Sequence, residues 1–523
     1  MSRLKKFIHS LLSGYVVLVA NIFYTLASVP LVFHYLGKPE FGLWATVTSI
    51  GGYMALIDLG MGGSVSRILI DHKDDRRNGA YGSVIKTGVL VGVVQGVLIV
   101  LAGVILSMLA GSLLHIQADL QREFLWLMIG QTVLLGILFA GRIFSYLLMA
   151  HQLPTVANYA TVALFFVNLA AMWAGLAAGW GVYSFLIGQA VMTLGSITIN
   201  AVCCVWLGLL PKSDEWGVIT WERFRELFDF GRDIFIYSVG TQLINASQTI
   251  LLTRLLGLEA SAAWNVCTRA YAVLTQVIYR IFDNSAQALA EMMVRGEKEL
   301  LCRRFRQIVV LSVNLAVVTG AMFAVCNSAF VAVWLKNKIA WPPANDLLLA
   351  VWLVVCVNMH AHTGLAGQTK KFRFMRYIFF IEGLAFVGLT LALYRFGGIT
   401  AMLAASIICT LSLSLSYGLY RTHHYFSLSW RELARWFEPT LVLAAWVIPA
   451  GLLTWWVAQA WSAALRLMVG GGVFGIWTVW AFLRHGLETS LQREAYCRAP
   501  GWIKPMLAQI GFDKSKSESA ALR

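Results

Sequence analysis

Apolar runs of membrane-spanning length follow one another along almost the whole chain, separated by short polar stretches. They lie near 10–33, 42–70, 80–112, 124–148, 155–179, 183–210, 233–256, 261–290, 308–334, 345–366, 375–395, 399–420, 438–458 and 461–483. About twenty apolar residues in a helix cross the hydrocarbon core of a bilayer. A helix also satisfies every backbone polar group within its own segment, which lipid cannot do. The pattern therefore predicts an all-α integral membrane protein with about fourteen transmembrane helices. The outer loops it leaves are too short to fold as a separate domain.

Composition agrees. Of the 523 residues, 59% are hydrophobic and 13% charged, against about 25% charged in an ordinary soluble domain. A water-soluble fold cannot conceal so much apolar surface, so the excess faces lipid. The net charge of +15 would raise nucleic acid as a partner if it were clustered on a folded domain. Here the Lys and Arg residues fall in alternate loops. With the N-terminus inside, 30 of the 41 lie on the cytoplasmic side, Arg142 among them, 7 outside and 4 within helices. That is the positive-inside pattern, and it supports the helix count. Both termini are expected in the cytoplasm of a bacterial inner membrane. The opening run to about Phe33 is too long for a signal peptide. Nucleic acid drops out as a partner.

An offset of 220 residues relates two parts of the chain. Leu36-Gly37 with Trp44 recurs as Leu256-Gly257 with Trp264. Ile219-Thr220-Trp221 before Arg225-Glu226-Leu227 is echoed by Leu428-Ser429-Trp430-Arg431-Glu432-Leu433, where Ser429 and Glu432 have capping-box spacing. The expected organisation is a six-helix lobe (1–211), an amphipathic cytoplasmic connector (212–231) and a second six-helix lobe (232–422). A connector with two extra helices (423–484) and a cytoplasmic tail (485–523) follow.

Polar side chains inside the runs are the candidate chemistry. Asn265, Arg269, Gln276, Arg280, Asp283 and Gln287 share one face at 3.6 residues per turn. Such a face cannot point at acyl chains. It lines either water or protein interior, and an internal network with Arg280 paired to Asp283 is the alternative to a ligand site. Arg269 has no acid within one turn of its own helix, which makes it the best anion ligand. Asn21, Thr25 and Ser28 match Thr241, Asn245 and Gln248 at the repeat offset, with Tyr237 extending the second stripe; helix packing through polar residues is the competing account. Asp58 precedes Gly60, Gly62 and Gly63, which permit a bend whose freed amides Asp58 can cap; a coupling role stands beside that. Arg67 and Lys86 near the inner ends of helices 2 and 3 either snorkel to lipid phosphates or form a head-group entrance. Glu382 is expected to be a partner within its lobe, coupling or structural.

The eight cysteines have no metal-ligand or disulfide spacing and read as packing residues. His360 and His362 lack companions at ligand spacing, so no metal is expected. No G-x-x-x-x-G-K-[ST] motif and no cofactor motif occurs.

Leu36-Gly37-Lys38-Pro39-Glu40-Phe41-Gly42-Leu43-Trp44, Asp58-Leu59-Gly60-Met61 with Arg67, and Leu227-Phe228-Asp229-Phe230-Gly231 together resemble the signature of polysaccharide flippases. Ile381-Glu382-Gly383 and Phe396-Gly397-Gly398 extend the likeness to about 422. These flippases belong to the multidrug/oligosaccharidyl-lipid/polysaccharide exporter superfamily. The resemblance implies a transporter rather than an enzyme, which flips a polyprenyl-diphosphate-linked oligosaccharide by alternating access for O-antigen or similar surface polymers. It also implies contact with membrane lipids and partnership with a polysaccharide polymerase and glycosyltransferases. Substrate-binding residues would be Arg269, Arg280, Gln276, Asn265, Asn245, Gln248, Thr25 and Asn21. A drug/cation antiporter and a lipid II flippase of the same superfamily are the alternatives. A membrane glycan polymerase or acyltransferase is the alternative of another class.

Overall fold

The computed structural model describes residues 3–72, 78–369, 374–498, 504–505 and 508, with backbone alone at 3–11, 229–234, 489–490, 494–495 and 498. Every regular element among these residues is helical. Eleven helices are long and apolar enough to cross a membrane, or twelve if one bent pair counts as a single span. The protein is a multi-pass membrane protein.

Two compact units divide the chain, 1–265 and 266–523. The first contains α1 (Arg3–Tyr35), α2 (Lys38–Met54), α3 (Met61–His72), α4 (Ala80–Leu113), α5 (Gln121–Gly141), α6 (Ile143–Ala150), α7 (Pro154–Ala177), α8 (Ser184–Trp206) and α9 (Trp221–Leu256), with most of α10 (Leu258–Cys267). Its core includes Leu43, Val47, Ile99, Leu127 and Met128, all under 1% exposed. Small residues let backbones approach closely: a Cβ on Gly96 would sit 2.5 Å from the Gly136 carbonyl oxygen. Helices in lipid associate through such close packing, because lipid supplies no hydrophobic drive between them.

The second unit contains α11 (Arg269–Val294), α12 (Lys298–Trp334), α13 (Pro343–Gln368), α14 (Met375–Gly397), α15 (Ile399–Thr410), α16 (Ser416–Phe426), α17 (Trp430–Arg435), α18 (Glu438–Ala458), α19 (Ala463–Met468), α20 (Gly475–Ala481) and α21 (Thr489–Arg498). A π-helical turn at Leu411–Leu415 joins α15 to α16. Ile278, Phe282 and Leu289 of α11 pack with Leu301, Phe305 and Val309 of α12 and with Leu353 and Leu365 of α13. Ser429 and Glu432 form the expected capping box at the start of α17. Thr220 caps α9, its hydroxyl accepting from Arg223 N at 3.3 Å.

The sequence-level spans differ from the structure in three places. Helix α9 runs unbroken from the amphipathic connector into the run at 233–256. Its 36 residues measure about 54 Å, more than a bilayer core requires. The runs at 233–256 and 261–290, the two richest in polar residues, are absent from the apolar spans. Arg142, counted above with the cytoplasmic charges, lies inside the span Ala118–Ala150.

Candidate functional site

The bend anticipated at Asp58 is real. The span Lys38–Asp58 meets Met61–His72 at 48°, with a 3-10 turn at Ala55–Asp58 and left-handed backbone at Leu59 (φ 50°) and Gly60 (φ 74°). Ending one helix and starting another frees backbone amides. Both carboxylate oxygens of Asp58 accept from Gly62 N, at 3.1 and 3.2 Å. The negative charge also suits the positive end of α3.

A second group fixes this cap. Arg142 Nη2 lies 2.5 Å from Asp58 Oδ1, the two side chains 15% and 24% exposed. The same guanidinium donates to Gln95 Oε1 at 2.6 Å, and Gln95 Nε2 donates to the Asp58 carbonyl at 2.9 Å. Arg142 stands over the Phe139 ring, 4.3 Å from its centroid. Charge, amide and freed carbonyl close on one another, as a pair inside a low-dielectric medium requires.

The remaining candidates of this unit vary in exposure. Asn21 and Thr25 on α1 are half-buried. On α9, Asn245 is exposed whereas Gln248 is buried. Neighbouring α9 residues hold α2: Thr253 Oγ1 meets Thr46 Oγ1 at 2.6 Å, and Ser247 bonds Tyr53. Arg67 is exposed and 3.6 Å from Asp71. Lys86 Nζ donates to the Gly217 carbonyl at 2.9 Å and stands over Trp216, so it pins the segment before α9.

The polar strip of the eighth run is divided. Its helix stops at Cys267, and α11 begins after Thr268. Asn265 lies before the break, donating to the Ser261 carbonyl at 2.9 Å and to Thr249 Oγ1 at 3.2 Å. Asn327 Nδ2 takes the Cys267 carbonyl at 3.1 Å and Asp346 Oδ1 at 2.8 Å. Trp341 Nε1 donates to that same carboxylate oxygen at 2.8 Å.

Beyond the break, the face survives. Arg269, Gln276, Asp283 and Gln287 are exposed and Arg280 half-buried. Ile278, Phe282 and Leu289, about half a turn away on the helical wheel, are buried. The apolar side anchors α11 and turns the polar side outward. Asp283 Oδ1 lies 2.9 Å from His360 Nε2. The His360 ring stacks on Tyr279, with centroids 3.8 Å apart. Two guanidiniums, two amides and a carboxylate on one accessible face suit an anionic, hydroxyl-rich ligand.

Glu382 is buried deep in the same unit, where Thr410 Oγ1 donates to it at 3.0 Å. Buried His362 bonds Thr422 Oγ1 through Nδ1 at 2.7 Å.

The family described as "Polysaccharide biosynthesis protein" matches residues 4–286, more than half of the chain. The chain belongs to the polysaccharide biosynthesis protein family. No curated protein sequence matches it. Among solved structures, it is similar to a multidrug resistance MATE family transporter of the MOP superfamily. For the inward-facing conformation, the TM-score is 0.59 at 13% identity, over 78% of this chain and 95% of that one. The outward-facing conformation gives 0.56 at 14% identity, over 81% and 97%. A MATE transporter of Vibrio cholerae gives 0.57 at 14% identity, over 81% and 96%. At this identity the likeness establishes the fold alone, which this chain shares with those structures.

Two pairings in this polysaccharide biosynthesis family member escaped the sequence reading. Arg142 and Asp58 are charges of opposite sign in separate apolar runs, and that complementarity is the signal that could have paired them. His360 is separated from Asp283 by 77 residues, and no local spacing links them.

Proposed function

We propose that this chain flips a polyprenyl-diphosphate-linked oligosaccharide from the inner to the outer leaflet of a bacterial inner membrane, by alternating access, for surface polysaccharide assembly. In this reading the chain makes fourteen passes in two six-helix halves plus a C-terminal pair, with both termini cytoplasmic. The polar helices α9 and α11 supply the passes that hydropathy alone omits. The observation that carries the proposal is the α11 face: Arg269, Gln276, Arg280, Asp283 and Gln287 turned away from an apolar anchor.

The lipid tail can remain in the bilayer while the head crosses. An unpaired charge in hydrocarbon is costly, so the protein must offer cationic, hydrogen-bonding surface to a diphosphate and its sugars. Guanidinium groups hold phosphate oxygens in pairs. Outward movement of negative charge across an inside-negative membrane releases about 2.3 kcal/mol per charge per 100 mV.

The fold neighbours are multidrug transporters, which favours drug/cation antiport as a second reading. A cation site needs an excess of acid, and the α11 face has two arginines to one aspartate. Replacing Arg269 by Ala separates the readings. Surface polymer should be lost at normal protein level, and Arg269→Lys should restore part of it. Normal polymer in Arg269→Ala would end the proposal.

A further inference from the structure

At one surface of the second unit, three spans end together: Lys298–Trp334 begins, Ile399–Phe426 stops and Trp430–Ala458 begins. A cleft of about 580 Å³ opens there. Lys298, Arg303, Arg306 and Arg435 line it, against the two carboxylates of Glu299 and Glu432. Phe426 and Trp436 form its apolar wall, 8% and 4% exposed. Both rings rest on Phe305, with centroids 6.1 Å away in each case.

Counting Glu488 beside Arg306, the four basic side chains face three carboxylates and keep one positive charge in excess. Glu432 is committed to its own helix end, where Oε2 accepts from Ser429 N at 2.7 Å and from Ser429 Oγ at 2.8 Å. Arg306 Nε is shut off from solvent and makes no hydrogen bond among the described residues. Glu488 Oε1, 3.4 Å away, is at ion-pair distance only. The rest of the Arg306 side chain is reachable, 43% of it being exposed. Surface arginines serving topology alone need neither a cleft nor a rigid aromatic wall.

We propose that this cleft binds the phosphate of an anionic lipid head group at the membrane surface. Arg303, Arg306 and Arg435 would meet the phosphate oxygens, and Phe426 and Trp436 the glycerol and upper chain. Clustered basic residues at a span end attract anionic lipid by about 1 kcal/mol per residue. The amphipathic indole of Trp436 favours the same depth. This site is separate from the α11 face and does not depend on what that face carries.

The test uses the full-length protein, with retention of phosphatidylglycerol against phosphatidylcholine followed by native mass spectrometry. The double variant Arg303→Gln, Arg435→Gln removes two exposed cations and leaves the partly buried Arg306 in place. Retention of phosphatidylglycerol should fall about fivefold for each arginine removed, with phosphatidylcholine unchanged. The control Lys336→Gln, Lys338→Gln, in the loop between α12 and α13, should behave as wild type. A third arm adds a polyprenyl diphosphate as competitor. If it displaces phosphatidylglycerol, the phosphate that the cleft takes in cells is that of the carrier lipid. If it does not, bulk anionic lipid is the ligand. Equal retention of phosphatidylglycerol by wild type and the double variant, or no preference over phosphatidylcholine, overturns the proposal.

Discussion

The bend at Asp58 and the polar face of α11 both carry charged groups, yet they are built in opposite ways. At the bend, Arg142 and Asp58 are 15% and 24% exposed and close on one another through Gln95. On α11, Arg269, Gln276, Asp283 and Gln287 are open to the surroundings, and the helix is held by apolar residues on its other side. A charge whose bonds all serve the fold is spent on structure. Side chains held out by an independent anchor are exposed where a ligand can reach them. Mutations at the two places should therefore fail differently, one through stability and the other through transport.

The largest stability effect is expected at the bend. Asp58→Ala leaves the Arg142 guanidinium uncompensated and removes the cap of α3, which should cost about 3–5 kcal/mol. Thermal unfolding in detergent would measure it. The double variant Asp58→Ala, Arg142→Ala should recover a good part of that loss, because no lone charge remains. If the single variant is as stable as wild type but transports nothing, Asp58 belongs with the coupling groups and the contrast fails. Arg269→Ala, by comparison, should leave the midpoint unmoved while polymer disappears.

Next in size is Gly62→Ala. A Cβ there would stand 2.2 Å from Tyr146 Oη and 3.3 Å from Arg142 Nη1. Crowding of this kind costs about 1–3 kcal/mol, and it should lower stability in the same assay without a charge being touched. A silent Gly62→Ala would mean that the bend tolerates displacement, and the account of a closed network would have to be given up.

Much of this was legible in the chain. The α11 face followed from polar positions recurring at helical spacing within an apolar run. The bend and its cap followed from one acid ahead of three near-adjacent glycines. The break at Thr268 did not, because no Gly or Pro marks Asn265-Val266-Cys267-Thr268-Arg269. It depends on Asn327 of another helix, which takes the Cys267 carbonyl. Hydropathy likewise leaves out α9 and α11, since their polar residues are what the criterion rejects. Arg142, counted with the cytoplasmic charges, is also the partner of Asp58, and only the tertiary pairing reveals that structural role.

The smallest expected effect sharpens the contrast most. Asp283 and His360 form a hydrogen-bonded contact on the open face, at 53% and 27% exposure, so solvent screens it and its worth to stability is at most about 1 kcal/mol. His360→Phe keeps a ring to stack on Tyr279 and removes the hydrogen bond to Asp283. The thermal midpoint should hardly move. If the face carries substrate, polymer output should still fall, because Asp283 loses the partner that fixes its direction beside Gln276 and Arg280. Unchanged output with an unchanged midpoint would confine the working surface to the arginines. A large drop in the midpoint would show that this face is structural after all, and the distinction between the two regions would collapse.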